Sequence, residues 1–386
     1  MINESKGLKV EVGPHWTISS IRGGGIPNKE ISWPGGHSAW YGPWLERFRN
    51  GRLFLGFVAD PDDYNRADIF RSLQLYSEDN GDTWWVDSFH SHHHGVFPLE
   101  TKDGMIYLFG SRCGKDYHYS FRQRDSFLAP RYLSYDSGRT WEGPETVYLH
   151  IPEARGAVFN GRHILELSDG KLIGAIHVGF GNIGTPAFEE KSRVIIINSQ
   201  DKGRHWEYLS TVAYDPDIDT EGFTEPVLLQ LPSGELLCVM RTDGYHPMMQ
   251  SFSSDLGRSW SPPVKTGVDG VWPDLCLMQS GIVACAYGRP GCNIMFSLDG
   301  TGREWSHHTV IIPPFEPKKQ GTWSHSYNAV REIRPGELLY IYNIAGHPED
   351  WHGGALPTGE ELLKTGLPTL NSIKATIIKV QRKTEK

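Results

Sequence analysis

A short turn motif, repeated along the chain, limits the possible fold more than any other feature. In each copy a serine stands two positions before an aspartate, a glycine follows two positions later, and a tryptophan ends the segment. Serine and aspartate side chains can bond nearby backbone amides, glycine allows a positive φ, and tryptophan can pack back on a sheet. Each copy therefore predicts a turn between two strands. The copies occupy residues 77–84, 134–141, 199–206, 253–260 and, with one inserted residue, 297–305.

A second kind of turn, ending in glycine, gives an independent count of the repeating units. Strand-like segments flank each of these turns, and a strand-built repeat of roughly 40–60 residues is typical of a β-propeller. Segments 7–19 and 371–380 alternate like strands and can complete the last unit. The sequence thus predicts an all-β, six-bladed β-propeller of four-stranded antiparallel blades, in a single domain over residues 1–386. The six turns are Asn50-Gly51, Asp103-Gly104, Asp169-Gly170, Ser233-Gly234, Ser280-Gly281 and Pro335-Gly336.

Composition narrows the class of partner. The chain has 386 residues, 12% of them aromatic, and a formal net charge of −8. Because this net charge is negative, we expect no electrostatic attraction to nucleic acid or to an anionic membrane surface. We expect a carbohydrate or another small, neutral or modestly charged partner, and no cofactor.

The cysteines and the N-terminus bear on the compartment. Five cysteines lie without metal-like spacing, several inside strand patterns, which favours buried thiols. The first residues show no apolar core followed by a cleavage site. We expect either a cytoplasmic protein or a secreted or periplasmic protein whose signal peptide was trimmed.

Two polar segments are candidates for site residues. The loop 60–68 contains four acidic residues, of which Asp62 and Asp63 are candidate acids, although a solvated turn has the same composition. The run 90–94 contains four histidines, including His93 and His94. A metal site is the alternative there, but neighbouring strand residues point to opposite faces, so at most two converge. We expect these histidines to contact substrate rather than a metal.

The turn glycines also serve as a ruler for the site. Nine positions before them stand Glu225, Trp272 and Tyr327, together with three glycines, Gly42, Gly95 and Gly161. Seven positions after them stand His177 and Arg241, with Arg289 one step beyond an equivalent position. Arg112 occupies a comparable strand position. Convergent polar and aromatic groups of this kind predict a binding pocket.

These features resemble the sialidase superfamily over nearly the whole chain. The repeated aspartate turns are similar to its Asp boxes, or BNR repeats. Thr224-Glu225-Pro226, sixteen residues before Arg241, and Tyr327-Asn328-Ala329-Val330 resemble its site segments. The resemblance implies a sialidase-like propeller and an exo-acting glycoside hydrolase. It further implies a Tyr327 nucleophile activated by Glu225, a loop aspartate as acid/base, and Arg241 and Arg289 as clamps on a substrate carboxylate.

The chain departs from this pattern at its first blade, where Tyr41-Gly42-Pro43 stands in place of an Arg-Ile-Pro signature. Bidentate contacts from arginine give selectivity for carboxylates. Without an arginine at this position, the substrate can be a sialic acid, a uronic acid or a related neutral sugar. For a neutral sugar, as in the related exo-arabinanases, carboxylates can carry the chemistry instead of Tyr327. A polysaccharide lyase using histidine and Tyr327, and a non-catalytic glycan-binding propeller, are the alternative functions.

Overall fold

The computed structural model describes fourteen ranges of the chain: 2–5, 7–20, 41–58, 72–86, 93–113, 122–123, 126–155, 157, 159–181, 186, 188–243, 246–313, 327–344 and 372–383. These ranges contain strands and turns but no helix, so they include no helix that could cross a membrane. The candidate acids Asp62 and Asp63 lie outside them.

Strands account for most of the described residues. The first thirteen are β1 Ile2–Ser5, β2 Leu8–Ser20, β3 Tyr41–Arg47, β4 Leu53–Val58, β5 Ser72–Ser77, β6 Trp85–Val86, β7 His93–Glu100, β8 Ile106–Cys113, β9 Arg122–Gln123, β10 Ser126–Ser134, β11 Glu142–His150, β12 Ala154–Arg155 and β13 Ile164–Glu166. The others are β14 Leu172–Phe180, β15 Arg193–Ser199, β16 His205–Ala213, β17 Thr224–Gln230, β18 Leu236–Arg241, β19 Pro247–Ser253, β20 Val264–Asp269, β21 Val271–Leu277, β22 Val283–Gly288, β23 Cys292–Ser297, β24 Ser306–Ile312, β25 Asn328–Arg334, β26 Glu337–Ile344 and β27 Ser372–Arg382.

The chain divides into two compact units, and the first is built from three separate segments, residues 1–91, 278–298 and 305–386. It holds a five-stranded sheet in the order β1-β2-β27-β26-β25, a four-stranded sheet β3-β4-β5-β6, and the antiparallel strands β22, β23 and β24. β2 pairs antiparallel with β27, which confirms that the two ends of the chain complete the last unit. A core of aliphatic and aromatic side chains, among them Phe57, Trp84 and Ile341, fills this unit.

The second unit contains residues 92–277 and 299–304. Its largest sheet has the order β12-β14-β15-β16-β11-β10-β8-β7, with β11 and β16 parallel where two antiparallel groups meet. A four-stranded sheet β17-β18-β19-β20 follows, and β21 belongs to this unit as well. Its core includes Ile196, Leu228 and Met240. The single domain over residues 1–386 remains a prediction.

The glycine turns have the same geometry in both units. Each of the six glycines has a φ between 73° and 89°. In five of them the glycine amide donates to the carbonyl of the residue three positions earlier, at 2.8 to 3.1 Å. A side chain at such a φ is strained, so these positions favour glycine. The repeat that the sequence shows is therefore a structural repeat.

The aspartate turns also have the predicted mechanism. In the copy at 134–141, the Ser134 hydroxyl donates to Asp136 Oδ1 at 2.8 Å and accepts from the Gly138 amide at 2.8 Å. Asp136 also accepts from the Thr140 amide and hydroxyl, at 2.8 and 2.7 Å. In the copies at 77–84, 199–206 and 253–260 the tryptophan Nε1 donates to the glycine carbonyl.

We expect Asp136→Ala to destabilise the protein without changing its chemistry. The substitution removes the acceptor for four donors at one turn, the Ser134 and Thr140 hydroxyls and the Arg139 and Thr140 amides. The loss of a comparable capping side chain costs about 1–2 kcal/mol. The melting temperature should fall while the turnover of the folded fraction stays the same. The exposed Asp219→Ala is the control. A selective loss of turnover in Asp136→Ala would show that the turn has more than a structural role.

Four of the five cysteines, Cys238, Cys276, Cys285 and Cys292, are buried thiols. They confirm the expectation from their strand positions. Burial also raises the pKa of the Cys238 thiol. These cysteines act as small apolar core residues.

Candidate functional site

Glu225 lies at a bulge near the start of β17, the first strand of its four-stranded sheet. The pairing of β17 with β18 shifts between Thr224 and Val227, so two residues of β17 stand opposite one of β18. Glu225 has a φ of 46°, which is rare for a residue with a side chain. Pro226 follows it and has no amide hydrogen to leave without a partner at the bulge. A backbone outlier of this kind is often found at functional sites.

The Glu225 carboxylate is held by two N–H donors. Arg241 Nη1 donates to its Oε1 at 2.8 Å, and the backbone amide of Trp272 donates to its Oε2 at 2.8 Å. The side chain of Glu225 is 10% exposed. The structure thus brings three predicted site residues together around one oriented carboxylate that solvent still reaches.

Arg241 contacts a second carboxylate, which the sequence analysis did not single out. Its Nη2 lies 2.9 Å from Glu221 Oε1, so the two ends of the guanidinium fork face Glu221 and Glu225. Glu221 is 47% exposed, whereas Arg241 is 15% exposed. We name Glu221, Glu225, Arg241, His177 and Trp272 the glutamate site.

The segment that carries Glu221 is fixed by its backbone. The Ser192 amide donates to the Glu221 carbonyl at 2.9 Å, and the Phe223 amide donates to the Ser192 carbonyl at 3.0 Å. Gly222 between them has a φ of 101°, and a Cβ there would lie 2.5 Å from the Ser192 backbone. Only glycine permits this approach. The backbone at Glu221 is therefore held in a defined position.

His177 lies near the end of β14 and contacts the backbone of Glu225. The Glu225 amide donates to His177 Nδ1 at 3.2 Å, so this nitrogen carries no proton. The His177 amide in turn donates to Asn160 Oδ1 at 2.8 Å. Burial lowers the pKa of His177 to about 4, opposed by the charge of Glu225 and reinforced by that of Arg241. At neutral pH the ring is uncharged, and its lone pair is occupied by an amide.

The lowered pKa of His177 predicts a pH dependence of stability. The unfolded chain takes up the histidine proton near 6.5, whereas the folded protein does so only near pH 4. Between these values the unfolded state binds more protons, so the free energy of unfolding should fall as the pH is lowered from about 6.5 to about 4. His177→Asn keeps an acceptor for the Glu225 amide but does not titrate. Denaturant titrations at several pH values should therefore show that the free energy of unfolding falls less with decreasing pH in this variant than in wild type. An equal fall in both proteins would contradict the assignment.

A buried cluster of Arg162, His163 and Asp274 lies in the same unit. Asp274, on β21, is fully buried, and its Oδ2 lies 3.0 Å from Arg162 Nη1. Its Oδ1 lies 2.9 Å from His163 Nε2, while His163 Nδ1 lies 2.9 Å from the Leu228 carbonyl. The Arg162 guanidinium stacks over the Trp272 ring, 4.8 Å from its centroid. The cluster therefore supports Trp272, whose amide holds Glu225.

Tyr327 and Arg289 belong to the first unit and lie together there. Tyr327 is 3% exposed, and the Arg289 guanidinium is 5.6 Å from the centroid of its ring. The Tyr327 amide donates to Asn343 Oδ1 at 2.7 Å, and the Asn343 amide donates to the Tyr327 carbonyl at 3.0 Å. The buried Asn343 thus fixes the backbone at Tyr327.

The structure says less about the other candidates. His93 and His94 lie on β7, and His94 is opposite Arg112 of β8 in the register. The side chains of these three residues lie outside what is described. Among the described residues, no group of three His, Cys, Asp or Glu side chains is placed to hold a metal ion. The catalytic and binding roles of all the predicted site residues remain predictions.

Comparison with known proteins places these features in a wider group. Residues 89–311, more than half of the chain, match the model of the BNR repeat-like domain. Comparison with curated proteins gives no significant match.

Solved structures with a similar fold cover nearly the whole chain. A protein of unknown function from Dyadobacter fermentans DSM 18053 is 18% identical with a TM-score of 0.64, over 96% of this chain and 99% of that one. An α-L-arabinanase of Penicillium chrysogenum, complexed with arabinobiose, is 18% identical with a TM-score of 0.61, over 96% and 98%. The intramolecular trans-sialidase of Ruminococcus gnavus is 13% identical with a TM-score of 0.62, over 94% and 98%.

These likenesses, at low sequence identity, establish the fold. They confirm the predicted class, an all-β, six-bladed, sialidase-like propeller of four-stranded antiparallel blades. The match to the BNR repeat-like domain model confirms the resemblance to the BNR-repeat superfamily, and the fold agrees with that of a sialidase.

Proposed function

Because the chain belongs to the BNR repeat-like domain family and has a glycoside-hydrolase-like fold, we propose that it is an exo-acting glycoside hydrolase that releases a terminal sugar from a glycan. The observation that carries this proposal is the Glu225 carboxylate. It is oriented by Arg241 and the Trp272 amide, partly open to solvent, and placed on a strained backbone.

An oriented carboxylate can serve glycoside hydrolysis in two ways. It can attack the anomeric carbon, or it can take the proton of another nucleophile as that nucleophile attacks. Arg241 and the Trp272 amide fix the direction of both carboxylate oxygens. We assign the essential carboxylate to Glu225.

Tyr327 is the second residue that we propose to take part. It is nearly buried, and the side chain of Asn343 and the guanidinium of Arg289 fix its surroundings within the first unit. A tyrosine hydroxyl can attack an anomeric carbon when a carboxylate takes its proton. The turnover of the Tyr327→Phe variant, which lacks the hydroxyl, measures the contribution of Tyr327 to catalysis.

The contacts of His177 support hydrolysis over elimination by a lyase. A lyase base must accept a proton from carbon, and the His177 lone pair at Nδ1 already accepts the Glu225 amide. In the neutral ring the other nitrogen carries its own proton. His177 therefore positions Glu225 rather than acting as a base.

A panel of glycans and aryl glycosides tests the proposed function. New reducing ends without ultraviolet absorbance of an unsaturated uronate would support a hydrolase, and release of a single terminal sugar would show that it acts from the chain end. Absorbance of that kind would support a lyase. Binding without turnover across a broad panel would support a non-catalytic glycan-binding protein.

A further inference from the structure

We infer that Glu221 determines specificity at the glutamate site, by occupying the outer end of Arg241 so that the site takes a sugar without a carboxylate. This inference rests on the proposed function and names its substrate class. Sialic acids and uronic acids are then poor ligands of this site, and neutral sugars are preferred.

The first argument is geometric. Selective binding of a carboxylate by arginine uses two parallel N–H···O bonds from one edge of the guanidinium. In Arg241, Nη1 bonds Glu225 at 2.8 Å and Nη2 lies 2.9 Å from Glu221. The Nε atom is enclosed by the protein. A substrate carboxylate would have to displace one of the two glutamates to use the fork.

The second argument is the charge at the site. Glu221 and Glu225 place two carboxylates on one guanidinium, and the lowered pKa of His177 leaves its ring neutral at pH 7. The nearby Arg162 has its own carboxylate, Asp274, at 3.0 Å. Lys191 lies at the base of the Glu221 segment, where its ammonium donates to the Thr220 carbonyl at 2.7 Å. An anionic ligand therefore meets two negative charges next to Arg241, and this repulsion weakens its binding.

The third argument is that Glu221 is held in place. Its carbonyl is bonded to the Ser192 amide, and Gly222 approaches Ser192 too closely for any Cβ. The Thr224 hydroxyl donates to the same Glu221 oxygen at 3.4 Å. Yet the side chain is 47% exposed, so its second oxygen can accept from a sugar hydroxyl. An exposed carboxylate fixed in this way can select a neutral sugar.

The test compares the binding of acetate and acetamide, which differ mainly in charge, by ligand-observed NMR titration. Wild-type protein should bind acetate no better than acetamide. Glu221→Gln removes the charged partner of Nη2 and should tighten acetate binding at least tenfold, about 1.4 kcal/mol, with acetamide unchanged. Glu221→Ala should give the same gain, and circular dichroism checks that both variants fold.

Two controls make the result specific. Asp219→Asn removes the same charge from an exposed residue two positions away and should leave acetate binding as in wild type. Arg241→Met added to Glu221→Gln should abolish the gain. The inference is overturned if Glu221→Gln gives no gain or if Asp219→Asn gives an equal one. Because the readout is binding rather than turnover, a failure of the proposed function would appear separately, in the glycoside panel.

Discussion

Glu225→Gln is expected to lower kcat/KM about a thousandfold on the glycoside that the wild-type protein cleaves fastest. The amide keeps the size of the side chain but can neither attack an anomeric carbon nor take a proton. Losing a general acid or base typically costs about 10²–10⁴ in rate, and a thousandfold loss corresponds to about 4 kcal/mol of transition-state stabilisation. Steady-state kinetics on the purified variant measures this directly.

Glu207→Gln is the matched control for this experiment. Glu207 is exposed on β16 of the same unit, and the change removes the same charge. Its kcat/KM should stay within about twofold of wild type, since surface substitutions usually have small effects. Equal rates for Glu225→Gln and wild type, at equal melting temperature, would remove Glu225 from the reaction.

Asp274→Ala is expected to lower the free energy of unfolding by about 3–5 kcal/mol, which is the largest stability effect we expect from a single change. The carboxylate is fully buried, and its removal leaves the guanidinium of Arg162, itself 5% exposed, without its counter-ion. Breaking one side of a buried pair has this cost, because the remaining charge is stranded in a poorly polarisable interior. Urea denaturation monitored by tryptophan fluorescence measures the change.

The double variant Arg162→Met/Asp274→Leu is the control. Replacing both charges by apolar side chains removes the stranded ion, so this variant should lose less stability than Asp274→Ala alone. A double variant that is less stable than the single one would show that Arg162 stabilises the fold through other contacts, such as its stacking on Trp272. A small effect of Asp274→Ala would show that Arg162 finds another partner.

Much of the fold can be predicted from short-range chemistry in the sequence. A positive φ at a tight turn favours glycine, so glycines at a regular spacing mark the positions of the strand pairs. Because paired strands keep a fixed register, counting from those glycines also locates residues that face each other. The count places Glu225 against Arg241 and Tyr327 against Asn343, and both pairs are in contact.

The parts of the site that the sequence did not predict depend on contacts between distant segments. Glu221 stands in a loop, and its position depends on the backbone of Ser192, which no local pattern shows. Asp274 stands inside the apolar strand Val271–Leu277, and a charged residue at such a position needs a buried partner. Arg162 and His163, whose sequence context is that of ordinary strand residues, are that partner.

The most direct test of the account follows the products released from an oligosaccharide substrate found with the panel. Samples from wild-type protein, Glu225→Gln and Glu207→Gln would be compared over time by chromatography. The account predicts that wild type and Glu207→Gln release one small saturated sugar from the chain end from the start, and that Glu225→Gln releases almost none. Unsaturated products, or equal release by Glu225→Gln, would contradict it.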